Sequence, residues 1–314
     1  MALFALISAG GSPGVTTSAL ALTLGWPSRV ILAECDPSGG DVLAGLFAGH
    51  LHADRGLLSL AFDAGRGPDD VTRALWPQLT ELDEARERML LAGLSDPRQV
   101  GSLIPVWPAL AAMFATLPID VIADCGRLDA ADGPLPVLSH ADVVALVLRP
   151  TLRQVARARP RVEMLSQLLG GLDRVVLLLA GDGPYAAKDV SRALGVPVLA
   201  ALPADDQTAQ VLSDGIGRRR RLDSRPLIRS AVLAGKQLRE LAGPSASGSR
   251  GRPPWAELRG GAGGPGRGAD QGQPDGPAAG LRGAPGLRGA AGWAPPGRGG
   301  ARAPFRAADV VGGP

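Results

Sequence analysis

The chain has 314 residues, with 33 lysines and arginines, 30 aspartates and glutamates, and two cysteines. Two cysteines are too few for a small disulfide-stapled scaffold, and no apolar stretch reaches the roughly 18 residues of a membrane span. Strand-like and helix-like segments alternate instead, which favours an α/β protein.

The first predicted elements are a strand at residues 3–7 and a helix at residues 16–24, joined by a glycine-rich loop. The loop resembles the phosphate-binding pattern G-x-x-x-x-G-K-[ST], in which backbone N–H groups and a helix N-terminus hold phosphate. Gly14 and Thr16 fit this pattern, whereas Ala9 replaces its first glycine and Val15 stands in place of the lysine. The sequence therefore predicts a phosphate-binding loop without its lysine.

Two further predicted strands end on acidic residues. The segment 30–34 leads Asp36 into a Pro/Gly turn, and the segment 119–123 ends on Asp124. In a Walker B strand, such a terminal carboxylate serves a phosphate-bound Mg²⁺. Asp36, Asp124 and the hydroxyl group of Thr16 are therefore candidate magnesium ligands.

The region between these acidic strands is expected to be mostly helical. The pattern predicts a helix that begins at Pro68, a parallel strand at residues 89–94, and a helix over residues 97–117 that is kinked at its prolines. Trp76 and Trp107 are expected to belong to the core.

Together these motifs resemble those of the ParA/MinD family of partition and septum-positioning ATPases. That family's loop reads K-G-G-x-G-K-T-T, its second strand ends in D-x-D-P, and its Walker B strand ends in Asp before a turn of small residues. The resemblance continues through later apolar strands and covers roughly residues 2–242. It implies an α/β fold with a doubly wound, mainly parallel sheet and helices on both faces.

Within this group, the loop wording S-P-G-V-T-T is similar to that of divergent actinobacterial members. A more distant similarity links the chain to the TadZ/CpaE proteins, which localise pilus secretion machines. That second similarity rests on the degenerate loop and the general architecture.

The resemblance also implies a site for ATP or ADP with Mg²⁺. Asp36 would place the attacking water, Arg127 in the switch II position would face phosphate, and the metal would be held by Thr16, Asp36 and Asp124. The implied nucleotide-binding residues are Gly10, Gly11, Ser12, Pro13, Gly14, Val15, Thr16 and Thr17 in the loop and Pro203 near the adenine. The adenine side departs from the family, which usually has Asn where Ala180-Gly181-Asp182 stands, so Asp182 and Asp205 are the remaining polar candidates there.

Both lysines of the family's loop are missing, because Gly10 takes the place of the signature lysine and Val15 that of the Walker lysine. Loss of one charge-assisted hydrogen bond weakens binding by roughly 10- to 100-fold. Hydrolysis suffers more, since a positive group on the transition state contributes on the order of 10³ to 10⁵ in rate. Arg127 and Arg149 are candidates for a replacement charge, and a solvated or ion-paired surface arginine is the alternative for each.

Two functional hypotheses stay open. In the first, the chain is a nucleotide-binding, weakly active or inactive ATPase that dimerises and positions a chromosome, a septum, or a pilus or secretion apparatus with a partner protein. In the second, it is a non-enzymatic scaffold whose loop no longer binds nucleotide. The three candidate magnesium ligands favour the first hypothesis, and the two missing lysines favour the second.

A basic cluster lies near the end of the predicted domain, at Arg218, Arg219, Arg220 and Arg221. Because DNA-partitioning members of the family use basic residues towards this end, the cluster is a candidate for non-specific contact with DNA phosphates. A solvated basic loop is the alternative interpretation.

The N-terminus is interpreted as part of a cytoplasmic domain and not as a signal peptide, because it lacks a positively charged start and is interrupted by the glycine loop. The cysteines, Cys35 and Cys125, follow the nucleotide-site strands and are expected to be buried and inert.

Residues 244–314 have a different composition from the rest of the chain. They hold 20 of the 44 glycines, nine of the 33 basic residues and four of the 30 acidic ones, with almost no apolar periodicity. Such a segment buries too little apolar surface to offset its ordering entropy, so it is predicted to be a disordered Gly/Pro/Arg-rich tail behind a domain of residues 1–243.

Overall fold

The computed structural model describes residues 1–47, 55–64, 68–128, 133–215 and 219–243, of which residues 63, 64, 68–70 and 219–221 are described as backbone alone. All these residues belong to one compact unit. The predicted tail lies outside the described residues.

An eight-stranded sheet forms the centre of this unit and confirms the expected α/β class. Across the sheet the strands follow the order β3-β4-β2-β5-β1-β6-β7-β8, and all neighbours are parallel except β3 and β4. In chain order the strands are β1 (Leu3–Ser8), β2 (Val30–Glu34), β3 (Leu79–Glu81), β4 (Arg88–Leu91), β5 (Asp120–Arg127), β6 (Val143–Leu148), β7 (Val175–Ala180) and β8 (Val198–Leu202).

Helices connect the strands and cover both faces of the sheet. The α-helices described are α1 (Val15–Leu24), α2 (Leu57–Ala64), α3 (Pro68–Leu75), α4 (Trp107–Thr116), α5 (Leu135–His140), α6 (Leu152–Leu169), α7 (Ala187–Leu194), α8 (Asp206–Asp214) and α9 (Pro226–Ala242). Short 3-10 helices lie at Trp76–Gln78, Pro97–Ser102 and Arg219–Ser224. Along the described residues, no helix is both long and apolar enough to cross a membrane.

The alternation of side chains along each strand builds two cores. In β1, Leu3, Ala5 and Ile7 face the layer that contains α4 and α6. Phe4 and Leu6 face the opposite layer, which contains α1, α8 and α9. Because both faces are covered, the inner strands are mostly apolar, and their buried charged residues lie at the strand ends near the carboxyl and amino edges of the sheet.

The region between the acidic strands differs in part from the prediction. The predicted strand at residues 89–94 is present as β4, but residues 97–117 form a 3-10 helix and a separate α4 instead of one kinked helix. Proline lies in the first turn of each of these helices, where its missing N–H is harmless, so proline starts a helix here instead of bending one. Trp107 is buried as expected, whereas Trp76 is 48% exposed and the expectation that it is a core residue is wrong.

Candidate functional site

The loop between β1 and α1 has the backbone conformation that glycine permits. Gly10, Gly11 and Gly14 have φ angles of +132°, +76° and +102°, and Ser12 has a φ angle of +45°. These are left-handed conformations that most L-residues avoid. The first turn of α1 contains no acidic residue, so its positive end is not neutralised. The loop therefore retains the features of a backbone anion cradle.

Val15 begins α1 but does not project into the space in front of the loop. Its side chain is 7% exposed and belongs to the apolar cluster beneath α1 and α9. The position of the missing lysine is thus filled by a core side chain, which stabilises the loop by packing and supplies no charge.

Three acidic side chains meet beside this loop: Glu34 at the end of β2, Asp36 just after it, and Asp124 in β5. Parallel β2 and β5 pair Glu34 with Asp124, so the residues that follow both strands lie at the same edge of the sheet. Asp124 is 2% exposed, and its carboxylate accepts hydrogen bonds from the Thr16 side chain and from the Gly126 N–H. The structure therefore brings Thr16 and Asp124 into direct contact, as a shared magnesium site requires.

The electrostatics of Asp124 fit a bound cation. Its pKa is raised from 3.8 to about 7, mainly by burial. The negative charges of Glu34 and Asp36 contribute to this rise, and the hydrogen bonds from Thr16 and Gly126 only partly offset it. A divalent cation would stabilise the ionised form of Asp124.

Asp36 is half-buried next to this pair. Its Oδ1 accepts a hydrogen bond from the Ser38 N–H at 2.8 Å. A Cβ atom added at Gly126 would overlap the Asp36 carboxylate, so the two residues are in close contact. Asp36 therefore lies within the same group as Asp124, where the sequence placed it.

Glu34 has a structural role beside this group. Its carboxylate is 3% exposed and accepts hydrogen bonds from the Val42 N–H at 2.9 Å and the Gly93 N–H at 3.1 Å. Burial raises its pKa, while these hydrogen bonds lower it. Glu34 thereby fixes the turn after Asp36 against the segment that follows β4.

The oxygen set fits Mg²⁺ and does not form a closed metal cage. Among the described residues, no group of three or more His, Cys, Asp or Glu side chains could hold a metal ion. Mg²⁺ in phosphate sites usually has one or two carboxylates and completes its shell with water and substrate oxygens. Thr16, Asp36 and Asp124 are the residues that would hold it.

A small cavity lies on the other side of the loop, between β7, β8 and α8. Its volume is about 170 Å³, less than the roughly 300 Å³ of a pocket for a whole drug-sized ligand, so it suits one part of a ligand, such as a base. Its lining brings the loop together with the predicted adenine-side residues and includes Pro13, Gly14, Thr17, Arg149, Asp182, Pro203 and Asp205.

Asp205 is already engaged within the protein. Its carboxylate caps α8 by accepting the Thr208 N–H and hydroxyl groups, and it pairs with Arg225. Its side chain is 4% exposed, and these partners lower its pKa although burial raises it. Asp205 thus shapes the wall of the cavity through the N-terminus of α8.

The candidate replacement arginines lie on different sides of the site. Arg127 ends β5 opposite Ser8, at the start of the loop, and has a partner of its own. Arg149 lines the small cavity between β7, β8 and α8. In the basic cluster, Arg218 lies outside the described residues and the other three arginines are described as backbone alone.

The cysteines are buried at 1% and 2% exposure and form a hydrogen bond with each other. Burial and the neighbouring Cys35 raise the pKa of the Cys125 thiol. The thiolate form is therefore disfavoured, in agreement with the expectation of inert thiols.

Two residues of α6 approach the loop although no sequence motif marked them. A Cβ atom added at Gly11 would lie 2.9 Å from Gln154 Nε2 and 3.1 Å from Arg157 Nη1, and one added at Gly10 would lie 3.8 Å from the same Arg157 nitrogen. Gln154 and Arg157 are three residues apart, so a helix places them on the same face. The sequence does not reveal which loop that face of the helix contacts.

No protein-family model matches the sequence, and no curated protein sequence is significantly similar to it. Solved structures are similar in fold. A ParA family ATPase from Chlorobium tepidum has a TM-score of 0.60 and 15% identity, over 75% of this chain and 98% of that chain. The septum site-determining protein MinD from Pyrococcus horikoshii, complexed with Mg-ADP, has a TM-score of 0.60 and 16% identity, over 77% and 97%.

A third similar structure is an ATP complex of a McdA variant from Cyanothece, with a TM-score of 0.54 and 17% identity over 77% of this chain and 96% of that chain. These likenesses show that the chain has the fold of the ParA and MinD P-loop ATPases. They confirm the fold that the sequence motifs implied.

Proposed function

We propose that the chain binds ATP or ADP together with Mg²⁺ at the carboxyl ends of β1, β2 and β5, and that it hydrolyses ATP slowly or not at all. The observation that carries the proposal is the contact between the Thr16 hydroxyl and the buried Asp124 carboxylate, next to Asp36 and to a left-handed glycine loop. When bound, Mg²⁺ neutralises charge on the phosphates.

Low turnover follows from the residues that the loop lacks. Gly10 and Val15 occupy the positions of the two lysines, and Val15 is a buried core residue. The backbone and the end of α1 can bind phosphate without lysine, but they do not supply the positive charge that stabilises the transition state. Asp36 is the group proposed to place the attacking water.

We propose further that nucleotide binding serves to position or partition a cellular structure, such as a chromosome, a septum, or a pilus or secretion apparatus. The structural neighbours include a ParA family ATPase and a septum site-determining protein, which supports this class of role. A homodimer, a partition or secretion protein, and DNA held by the basic cluster are the proposed partners.

A non-enzymatic scaffold is the second candidate function. The observation that favours it is the burial of Val15, because packing beneath the loop keeps its shape without any ligand. The two candidates differ in whether nucleotide binds at all.

Calorimetric titration with ATP and with ADP, each with and without Mg²⁺, separates these candidates. Binding that strengthens with Mg²⁺ in the wild type, and that Thr16→Ala weakens at least tenfold only when Mg²⁺ is present, supports the nucleotide proposal. Thr23→Ala is the matched control, because Thr23 lies on the same helix and its hydroxyl bonds to the Ala19 carbonyl within it. Absence of binding in the wild type supports the scaffold.

A further inference from the structure

Helix α6 places an arginine on the loop that lacks its lysines. Arg157 Nη1 lies 3.1 Å from the position that a Cβ atom of Gly11 would occupy and 3.8 Å from that of Gly10. The guanidinium group therefore reaches the left-handed part of the loop. A side chain at residue 10 or 11 would compete with it for this space.

The position of Arg157 is fixed by the helix that carries it. Ala158, Val162 and Leu165 bury the apolar side of α6 against the sheet, and Thr151 caps its start by accepting the Gln154 N–H at 3.4 Å. Because buried side chains on both sides of Arg157 hold this helix against the sheet, the backbone that carries Arg157 is fixed beside the loop. That is the preorganisation that recognition of a charged ligand requires.

Gln154 provides an independent observation at the same place. Its side chain is 2% exposed, its Nε2 faces Gly11, and its Oε1 is buried without a hydrogen-bond partner among the described residues. Unsatisfied buried oxygens are rare in folded proteins, and an ordered water or a ligand normally completes them. This end of α6 therefore has the character of a binding surface.

The charge of Arg157 is available for a ligand. Its side chain is exposed, and no carboxylate in the described part of the chain forms a salt bridge with it. Arg127 has another partner, and Arg149 lies on the base side of the site. Of these three arginines, Arg157 is the one whose guanidinium lies against the loop glycines.

We propose that Arg157 is the phosphate-binding cation of this site and that it acts from α6 in place of the missing loop lysines. The Gln154 side chain approaches the same glycine, Gly11. The proposal rests on the proposed nucleotide function and adds the residue that supplies the charge. A guanidinium group offers two parallel N–H donors to phosphate oxygens, a bidentate geometry that the compact charge of a lysine does not provide.

The test compares Arg157→Ala, Arg157→Lys and Arg153→Ala with the wild type by calorimetric titration with Mg²⁺-ATP and with Mg²⁺-tripolyphosphate. Arg153 is the matched control, because it is an exposed arginine of the same helix. We expect Arg157→Ala to weaken binding of both ligands by about 10- to 100-fold, Arg157→Lys to weaken it less, and Arg153→Ala to leave it unchanged. The thermal unfolding midpoint should not move in any of them, since both arginines are exposed.

An equal loss of tripolyphosphate and ATP affinity identifies a phosphate contact, because tripolyphosphate has no base. If Arg157→Ala binds both ligands as tightly as Arg153→Ala does, the assignment of Arg157 is overturned while the nucleotide proposal stands. If the wild type binds neither ligand, both proposals fall together.

Discussion

Gly126 lies so close to Asp36 that the structure has no space for a side chain at this position. Its φ angle is +61°, and an added Cβ atom would overlap the Asp36 carboxylate. We predict that Gly126→Ala destabilises the fold by about 2–4 kcal/mol and weakens Mg²⁺-nucleotide binding, because the left-handed backbone and the displaced carboxylate both contribute. Urea unfolding and calorimetric titration measure the two effects.

Gly170→Ala separates these contributions. Gly170 ends α6 with a φ angle of +70°, and an added Cβ atom would meet nothing within 4 Å. It should therefore show only the backbone cost of about 1–2 kcal/mol and leave nucleotide affinity unchanged. Equal nucleotide affinities in the two variants would contradict the placement of Asp36 in the site.

Asp124 makes the stability of the ligand-free protein depend on pH. Its folded pKa of about 7 lies above its ordinary value of 3.8, so between these pH values the folded state binds a proton that the unfolded state has lost. Its contribution is fully present below pH 4 and is lost as the pH rises towards 7, by at most about 4 kcal/mol. Glu34, whose pKa burial also raises, acts in the same direction.

We therefore predict that Asp124→Asn is more stable than the wild type at pH 8 without Mg²⁺ and gains little at pH 4. Asparagine stays neutral throughout, so the stability lost by the wild type between these pH values should shrink in the variant. Urea unfolding at several pH values measures this. Parallel pH profiles for the two proteins would show that Asp124 does not titrate in this range.

At the scale of elements, Asp120 ties the amino end of the sheet together. Its carboxylate accepts the Ala2 N–H at 2.9 Å and the Trp26 Nε1–H at 3.0 Å, and it pairs with Arg239 of α9 at 3.1 Å. Asp120 is 1% exposed. One side chain thus connects β5 with β1, the loop after α1, and the last described helix.

We predict that Asp120→Ala destabilises the protein by about 3–5 kcal/mol, because it leaves buried donors and the Arg239 charge unpaired. Nucleotide affinity should not change, since Asp124 lies four residues further along β5, about 13 Å away. Arg239→Ala should cost less, because the Arg239 side chain is 41% exposed. Reduced nucleotide affinity in folded Asp120→Ala would show that the two ends of β5 are coupled.

The elements that sequence patterns predicted are those whose signals are local. The strand at residues 3–7, the glycine loop and the acidic strand ends each lie within a few residues, and parallel strands bring their carboxyl ends to one edge. Asp36, Asp124 and Thr16 could therefore be placed together before the structure was known. The three-residue antiparallel β3 was too short to give such a signal.

The features that sequence patterns missed depend on packing between distant elements. Arg157 reaches Gly11 only because α6 packs on β6, next to β1, and nothing within α6 shows which loop it faces. Asp205 was predicted on the adenine side, but its salt bridge with Arg225 was not predicted, because the two residues lie 20 positions apart in the sequence. Exposure of Trp76 depends in the same way on where α3 ends against the rest of the fold.

At the scale of the whole molecule, charge is unevenly distributed along the chain. Residues 1–243 hold 24 basic and 26 acidic residues, whereas residues 244–314 hold nine and four, so the net charges are −2 and +5. The sequence pI near 9.4 therefore describes the last segment more than the domain. The segment 244–314 and the arginine cluster inside the domain are therefore the two candidate contacts for a long polyanion such as DNA.

We predict that the cluster of Arg218, Arg219, Arg220 and Arg221 carries non-specific binding to duplex DNA. Replacing all four with alanine should weaken binding and reduce the slope of log affinity against log salt by about 3 to 4, because up to four phosphate contacts are lost.

A chain ending at Gly243 should unfold cooperatively and keep DNA binding, since the removed segment offers little apolar surface for packing. Fluorescence anisotropy at several salt concentrations measures the binding. DNA binding that survives the alanine substitutions and disappears in the shortened chain would assign the contact to residues 244–314 instead.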